Sequence, residues 1–287
     1  MIVNKARHIG FCFGVKHAVD KANEILCSEE KLYCLGEIIH NKDAIDKLKE
    51  KGLIILDSVE EALKVKDGKV LIRSHGVGED VIKALENHNI EYIDATCPRV
   101  KKIHKIVQEY SGNGYDIIII GDENHPEIKG IIGWISGNFY VVKNYQEIEN
   151  LFINREKKYC LVCQTTFYNN IYKEIVEFLV ENDYTNIVMN NTICDATKNR
   201  QDACAEIASE SDVMLVVGGK SSSNTKKLYE LAKKSCDKTF LIENFKEIPY
   251  KSIEKNTRIG ITAGASTPDW VIEEVIENVR ESKQNNE

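Results

Sequence analysis

Residues 194–218 read CDATKNRQDACAEIASESDVMLVVG, residues 97–121 read CPRVKKIHKIVQEYSGNGYDIIIIG, and residues 12–36 read CFGVKHAVDKANEILCSEEKLYCLG. Each stretch opens on a cysteine, runs on as a helix-like segment, enters a short apolar run and ends on glycine. The cysteine and the glycine are 24 positions apart in all three. Val15, Val19 and Ala22 in one stretch, and Val100, Ile103 and Val107 in another, recur at helical spacing with basic residues between them. The runs LYCL, DIIII and DVMLVV have no polar face and read as parallel strands buried on both sides. Equal spacing in three places marks a threefold internal repeat. Four residues past Gly36, Gly121 and Gly218 stand His40, His125 and Ser222.

Beyond that loop each unit predicts a helix, a second strand (GLIILD, FYVVK, TFLIE) and a third strand with a small or polar end. Those ends are Arg73-Ser74-His75-Gly76, Gln164-Thr165-Thr166 and Gly264-Ala265-Ser266. A last helix and strand, IEYIDATC or NIVMNNTIC, lead into the next cysteine. The third unit lacks such a strand, whereas the N-terminal IVNKARHIGFC begins like one and runs into Cys12, so it is expected to complete the third unit and close a ring. Alternating strands and helices imply α/β units with parallel sheets. The expected architecture is three pseudo-symmetric α/β units, residues 1–96, 97–193 and 194–287, arranged as a trefoil around a central site. Residues 1–11 belong to the third unit, and 281–287 form a polar tail.

The chain has 287 residues, 43% hydrophobic and 29% charged, with a formal charge of -7. An acidic balance argues against a protein that neutralises phosphate backbones, so no nucleic-acid partner is expected. No purely aliphatic run exceeds four residues, the length of Ile117–Ile120, far too short to span a bilayer, and MIVNKARHIGFCFG lacks a signal-peptide core. The expectation is a cytoplasmic protein without membrane attachment. Nine cysteines in a reducing compartment point to metal or redox chemistry rather than disulfides. No tight C-x-x-C-x-x-C run or paired C-x-x-C ribbon is present, so a metal site must be assembled from distant segments.

Cys12, Cys97 and Cys194 stand at helix starts, where the macrodipole and free N–H groups favour a thiolate. Three thiolates about a pseudo-threefold axis suit a cubane cluster whose fourth iron has no protein ligand. Cys27, Cys34, Cys204 and Cys236 have no repeat counterparts and read as packing residues; Cys160 and Cys163 lie on opposite faces of one strand and read likewise. His40, His75 and His125 sit at loop or strand-end positions, whereas His8, His17, His88 and His104 lie on helical or basic segments. Ligands of parallel α/β sheets bind beyond the carboxyl ends of strands. There, imidazoles with Ser222, Ser223 and Asn224 can hold a polyanion. One serine satisfies a helix N-cap, and Ser221-Ser222-Ser223-Asn224 exceeds that need. Glu127 is either a first-turn carboxylate complementing the helix dipole or a proton donor in a closed site.

Taken together, GFCFGV (10–15), HN (40–41), SHGV (74–77), DATCP (94–98), GDENHPE (121–127), QTT (164–166), CDATKNRQ (194–201), GGKSSSNT (218–225) and TAGASTPD (262–269) closely resemble the IspH/LytB family of 4-hydroxy-3-methylbut-2-enyl diphosphate reductases. The likeness covers nearly the whole chain. It implies that Cys12, Cys97 and Cys194 hold one 4Fe-4S cluster whose open iron binds the substrate hydroxyl. It implies that His40, His75, His125, Ser222, Ser223, Asn224 and Ser266 bind the allylic diphosphate, that Thr165 contacts the hydroxyl region, and that Glu127 delivers protons. The implied reaction is reductive dehydroxylation to isopentenyl and dimethylallyl diphosphate, with reduced ferredoxin or flavodoxin as electron donor. Phe13 departs from the small residue common at its position, and a chamber-facing Phe13 would alter packing near the cluster.

Two other readings remain open on sequence grounds: a cluster-dependent dehydratase of the quinolinate synthase type, and a non-enzymatic iron-sulfur or zinc sensor. The dehydratase reading does not require the HPE and SSSN motifs. The absence of a DNA-binding segment weighs against a transcriptional sensor.

Overall fold

The computed structural model describes residues 2–28, 30–151, 154–254 and 256–281. The polar tail expected at 281–287 lies, past Glu281, outside the described residues. In chain order the strands are β1 (Ile2–Lys5), β2 (Leu32–Leu35), β3 (Leu53–Leu56), β4 (Lys69–Ile72), β5 (Tyr92–Asp94), β6 (Asp116–Ile120), β7 (Phe139–Val142), β8 (Tyr159–Cys163), β9 (Ile187–Met189), β10 (Val213–Val217), β11 (Thr239–Ile242) and β12 (Arg258–Ala263). The helices are α1 (Phe13–Cys27), α2 (Lys42–Glu50), α3 (Val59–Ala62), α4 (Glu79–Asn87), α5 (Pro98–Gly112), α6 (Pro126–Ile132), α7 (Tyr145–Asn150), α8 (Asn169–Glu181), α9 (Asp195–Ser209), α10 (Ser223–Lys233) and α11 (Asp269–Glu281).

The strands form three four-stranded parallel sheets in the orders β3-β2-β4-β5, β7-β6-β8-β9 and β11-β10-β12-β1. The same order, second-first-third-fourth within each repeat, recurs three times, with β1 pairing in parallel with β12. The chain divides into two compact bodies. Met1–Lys16, Ile39–Leu48 and Asp195–Glu287 make one, which holds the β10 sheet; His17–Ile38 and Lys49–Cys194 make the other, which holds the β2 and β6 sheets.

Alternate residues of each central strand enter different cores, which explains the unbroken apolar runs. Ile118 and Ile120 pack with Leu161, Ile175 and Leu179, whereas Ile117 and Ile119 pack with Ile103, Val107 and Ile128. Val213, Leu215 and Val217 face Val271 and Val275, whereas Met214 and Val216 face Leu228 and Ala232. Each such side chain contributes roughly 1.5–3 kcal/mol when removed from water. Among the described residues, no helix is long and apolar enough to cross a membrane.

Candidate active site

The strand order fixes where chemistry can occur. In each sheet the first strand connects outward to one side and the third to the other, so the chain diverges between their carboxyl ends and leaves a crevice. The glycine loops leave β2, β6 and β10 there, and the polar ends of β4, β8 and β12 lie beside them. Backbone hydrogen bonds repeat the pattern. Gly36, Gly121 and Gly218 donate N–H to Leu56, Val142 and Ile242 carbonyls at 2.8, 2.9 and 2.8 Å.

The three spaced cysteines are fixed alike. Each stands one residue before its helix, α1, α5 or α9. Cys12, Cys97 and Cys194 donate backbone N–H to Ala265, Ser74 and Thr165 carbonyls, each at 3.0 Å. The third strand's polar end thus anchors the cysteine backbone and leaves the thiol to other uses. All three thiols are partly exposed and in no disulfide. Arg200 of α9, buried, donates Nη2–H to the Gly10 carbonyl at 2.7 Å and ties down the approach to Cys12. No sequence pattern had singled out Arg200.

The remaining cysteines divide in two. Cys34, Cys160, Cys163, Cys204 and Cys236 are buried. Burial pushes the thiols of Cys34, Cys160 and Cys204 up to about 12, and that of Cys163 also strongly upward. Cys160 and Cys163 enter opposite cores of the β6 sheet, as their spacing in a strand requires. Cys27 corrects the sequence expectation: as the last residue of α1 it is exposed and packs nothing away from water. Phe13 is likewise 74% exposed, because it is the first residue of α1.

Helix starts supply the polar groups. His125 is the N-cap of α6, with Pro126 at the first helical position; its Nδ1 accepts the Glu127 N–H at 3.1 Å. Accepting at Nδ1 leaves the ring proton on Nε2, so a neutral His125 offers one N–H donor. Ser222 is the N-cap of α10 and accepts from Thr225 N–H, which leaves Ser223 and Asn224 beyond the needs of the cap. Asn224 is 4% exposed, and its Nδ2 has no hydrogen-bond partner among the described residues. At α2 the cap falls one position later: Asn41 accepts from Ala44 N–H at 2.9 Å, so His40 stands just outside the helix. The His40 carbonyl accepts from Ser266 Oγ at 3.1 Å and lies against Gly219, where any Cβ would collide with it.

Glu127 is 2% exposed and has a partner from the neighbouring strand end. Thr165 donates its backbone N–H to Oε1 at 2.6 Å and its hydroxyl to Oε2 at 2.6 Å. Of the two sequence readings, a simple first-turn carboxylate does not explain this burial. The His75 ring meets that of His125 edge to face, centroids 5.4 Å apart. Glu127, Thr165, His75 and His125 thus all lie in the second body, brought there by β4, β6 and β8. Arg73, two residues before His75 and read from sequence only as part of a polar strand end, is partly buried: burial pulls its guanidinium below the usual arginine range, and it packs on Gly36, whose φ of 73° and bare Cα make room for it.

Comparison with known proteins follows the same lines. The chain matches the LytB protein family over residues 3–280. The chain belongs to the LytB family. Among LytB relatives, the 4-hydroxy-3-methylbut-2-enyl diphosphate reductase of Caldanaerobacter subterraneus is 45% identical over 284 residues, covering 98% of both chains. The enzyme of the same name from Clostridioides difficile is 43% identical, covering 96% of this chain and 98% of its own. Solved LytB-like structures agree. The E-1-hydroxy-2-methyl-but-2-enyl-4-diphosphate reductase of Plasmodium falciparum superposes with a TM-score of 0.89 at 29% identity, covering 98% of this chain and 87% of that one. A structure described as (E)-4-hydroxy-3-methyl-but-2-enyl diphosphate reductase, the terminal enzyme of the non-mevalonate pathway, gives 0.70 at 38% identity, covering 98% and 100%.

Proposed function

We propose that the chain reduces 4-hydroxy-3-methylbut-2-enyl diphosphate to isopentenyl and dimethylallyl diphosphate, removing the hydroxyl as water. The observation that carries this is the 45% identity to a reductase over 98% of both chains. The dehydratase and sensor readings are set aside because the likeness is to reductases throughout.

The donor set fits an iron-sulfur cluster. Cys12, Cys97 and Cys194 are partly exposed, unbridged cysteines, each standing one residue before a helix. They are the residues that would hold one 4Fe-4S cluster, one cysteine from each of three units, 1–96, 97–193 and 194–287. When bound, such a cluster supplies Lewis acidity and electrons to an allylic C–O bond.

The chain's own residues do the rest. His40, His75, His125, Ser222, Ser223, Asn224 and Ser266 hold the diphosphate, with His125 donating from Nε2. Remote binding of the diphosphate orients the bond that breaks. Thr165 N–H fixes Glu127 Oε1 and the Thr165 hydroxyl donates to Oε2, so a proton taken up by Glu127 goes to Oε2 and the hydroxyl, 2.6 Å away, then turns from donor to acceptor there. Glu127 passes that proton to Thr165 Oγ1 while the threonine hydroxyl gives its own to the departing oxygen. The electron donor is a reduced ferredoxin or flavodoxin. The compartment is a reducing cytoplasm, in keeping with the odd and high count of nine cysteines in the sequence.

The test is anaerobic purification with iron and sulfide analysis, then assay with reduced methyl viologen and the hydroxymethylbutenyl diphosphate. Turnover to both C5 diphosphates is expected. A fully loaded protein that turns nothing over would overturn the assignment.

A further inference from the structure

His104 lies on α5 among Lys101, Lys102 and Lys105, yet it is only 5% exposed. Its ring stacks on Trp134, centroids 5.3 Å apart and planes within 17°. Trp134 in turn donates Nε1–H to the Val77 carbonyl at 2.8 Å. The Cε1–Nε2 edge of the imidazole abuts Gly76, where a Cβ would come within 2.7 Å of His104 Cε1 and 2.9 Å of Thr96 Cγ2. Gly76 has a φ of 73°, a second reason for glycine there.

The same loop is held from α6. A Cβ on Gly130 would rest at contact distance from the His75 carbonyl and from Gly76, and Gly133 packs so closely on Gly78 that a Cβ would reach its Cα at 2.5 Å. Glu79 N–H donates to the Gly133 carbonyl at 3.2 Å. The loop bearing His75 is therefore clamped against the helix that bears Glu127 and is capped by His125. The clamp consists of bare glycine backbone together with the His104–Trp134 stack.

We infer that His104 is a positioning residue: with Trp134 it seats Gly76 against α6 and so sets the His75 imidazole relative to His125 for binding of the diphosphate. This rests on the reductase reading above and deepens it. Among the described residues the His104 Nε2 has no hydrogen-bond partner, so this nitrogen, which faces Gly76, holds the loop by contact and not by a hydrogen bond. Burial, reinforced by Lys101 and opposed by Asp94, pulls the imidazole down to about 4, which keeps the stacked ring neutral.

The test compares His104→Ala with His104→Phe in the holoenzyme, using reduced methyl viologen as donor. His104→Ala should raise KM for the diphosphate substrate about tenfold, with kcat within about threefold, since a displaced binding group weakens ground and transition states alike. Iron content and cluster absorbance should not change. His104→Phe keeps a flat ring on Trp134 and should restore KM to within about twofold. A wild-type KM in His104→Ala overturns the inference. So does a folded, cluster-loaded His104→Phe as impaired as His104→Ala, because the ring nitrogens would then be required. Side-chain nitrogen NMR supplies a readout independent of turnover: the His75 and His125 ring signals should shift in His104→Ala and return in His104→Phe. Unshifted signals refute the clamp even if the protein proves not to be a reductase, whereas a wild-type protein inactive in the same assay refutes only the reductase reading.

Discussion

Thr165 holds both carboxylate oxygens of Glu127, one through its backbone N–H and one through its hydroxyl, each at 2.6 Å. In Glu127→Gln the amide oxygen still accepts the backbone N–H, and the amide nitrogen donates to the threonine hydroxyl, so the geometry survives without the acid. The variant should retain cluster content and KM while kcat falls about 10²–10⁴-fold, the usual contribution of a positioned acid. Steady-state assay with reduced methyl viologen reads this directly, and an unchanged kcat would remove Glu127 from proton delivery.

Thr165 itself separates the roles of backbone and hydroxyl. Thr165→Ser keeps the oxygen and should retain activity within a few fold. Thr165→Val keeps the shape and the backbone N–H but leaves Oε2 of a 2% exposed carboxylate without its hydroxyl donor. That lost bond should cost about 1–3 kcal/mol of stability by urea titration, together with most of kcat. A Thr165→Val enzyme with normal turnover would confine the residue to a structural part.

Much of this was legible in the sequence, because spacing survives wherever backbone hydrogen bonds demand it. The constant separation of 24 residues reflects one strand order used three times, with each cysteine N–H bound to the end of the third strand. Ser222 was readable as a cap because a cap is local. Pairs formed across a sheet were not. Glu127 and Thr165 are 38 positions apart, and neither residue alone announces the other. His104 was rightly placed on a helical, basic segment but given no part, because its lysine neighbours lend α5 a solvent-like composition while its own position falls on the buried side between Ile103 and Val107. Cys27 was misread for the opposite reason, since its apolar chemistry outweighed its place at a helix end.

Thiol accessibility offers a check on the sorting of the cysteines. In the anaerobic holoprotein a maleimide should label Cys27 readily, as the exposed thiol. Removal of iron should add Cys12, Cys97 and Cys194, which are partly exposed and then no longer ligated. Cys34, Cys160 and Cys204, buried and held near 12, should stay unlabelled until the protein unfolds, because the thiolate is the reactive form. Mass spectrometry of peptides reads each site. Protection of Cys27 by iron, or labelling of Cys194 in the loaded protein at the rate of Cys27, would contradict the assignment.

Stability should depend on pH through His104. Its folded-state value of about 4 lies below the ordinary histidine value of 6.5, so between these limits the unfolded chain binds the proton and the folded chain does not. The contribution is therefore fully present above pH 6.5 and is lost as pH falls towards 4. The groups acting on the ring are Asp94, which favours protonation, and Lys101, which opposes it. The shift corresponds to on the order of 3 kcal/mol across the window. Urea unfolding at pH 7.5 and 5.0, compared between wild type and His104→Phe, isolates this from the carboxylates, which titrate in both proteins. Wild type should lose more stability than the variant on acidification, by about 1–2 kcal/mol at pH 5.0, where titration of the unfolded imidazole is well advanced. Parallel losses in the two proteins would show that the His104 ring accepts its proton without leaving its place between Trp134 and Gly76.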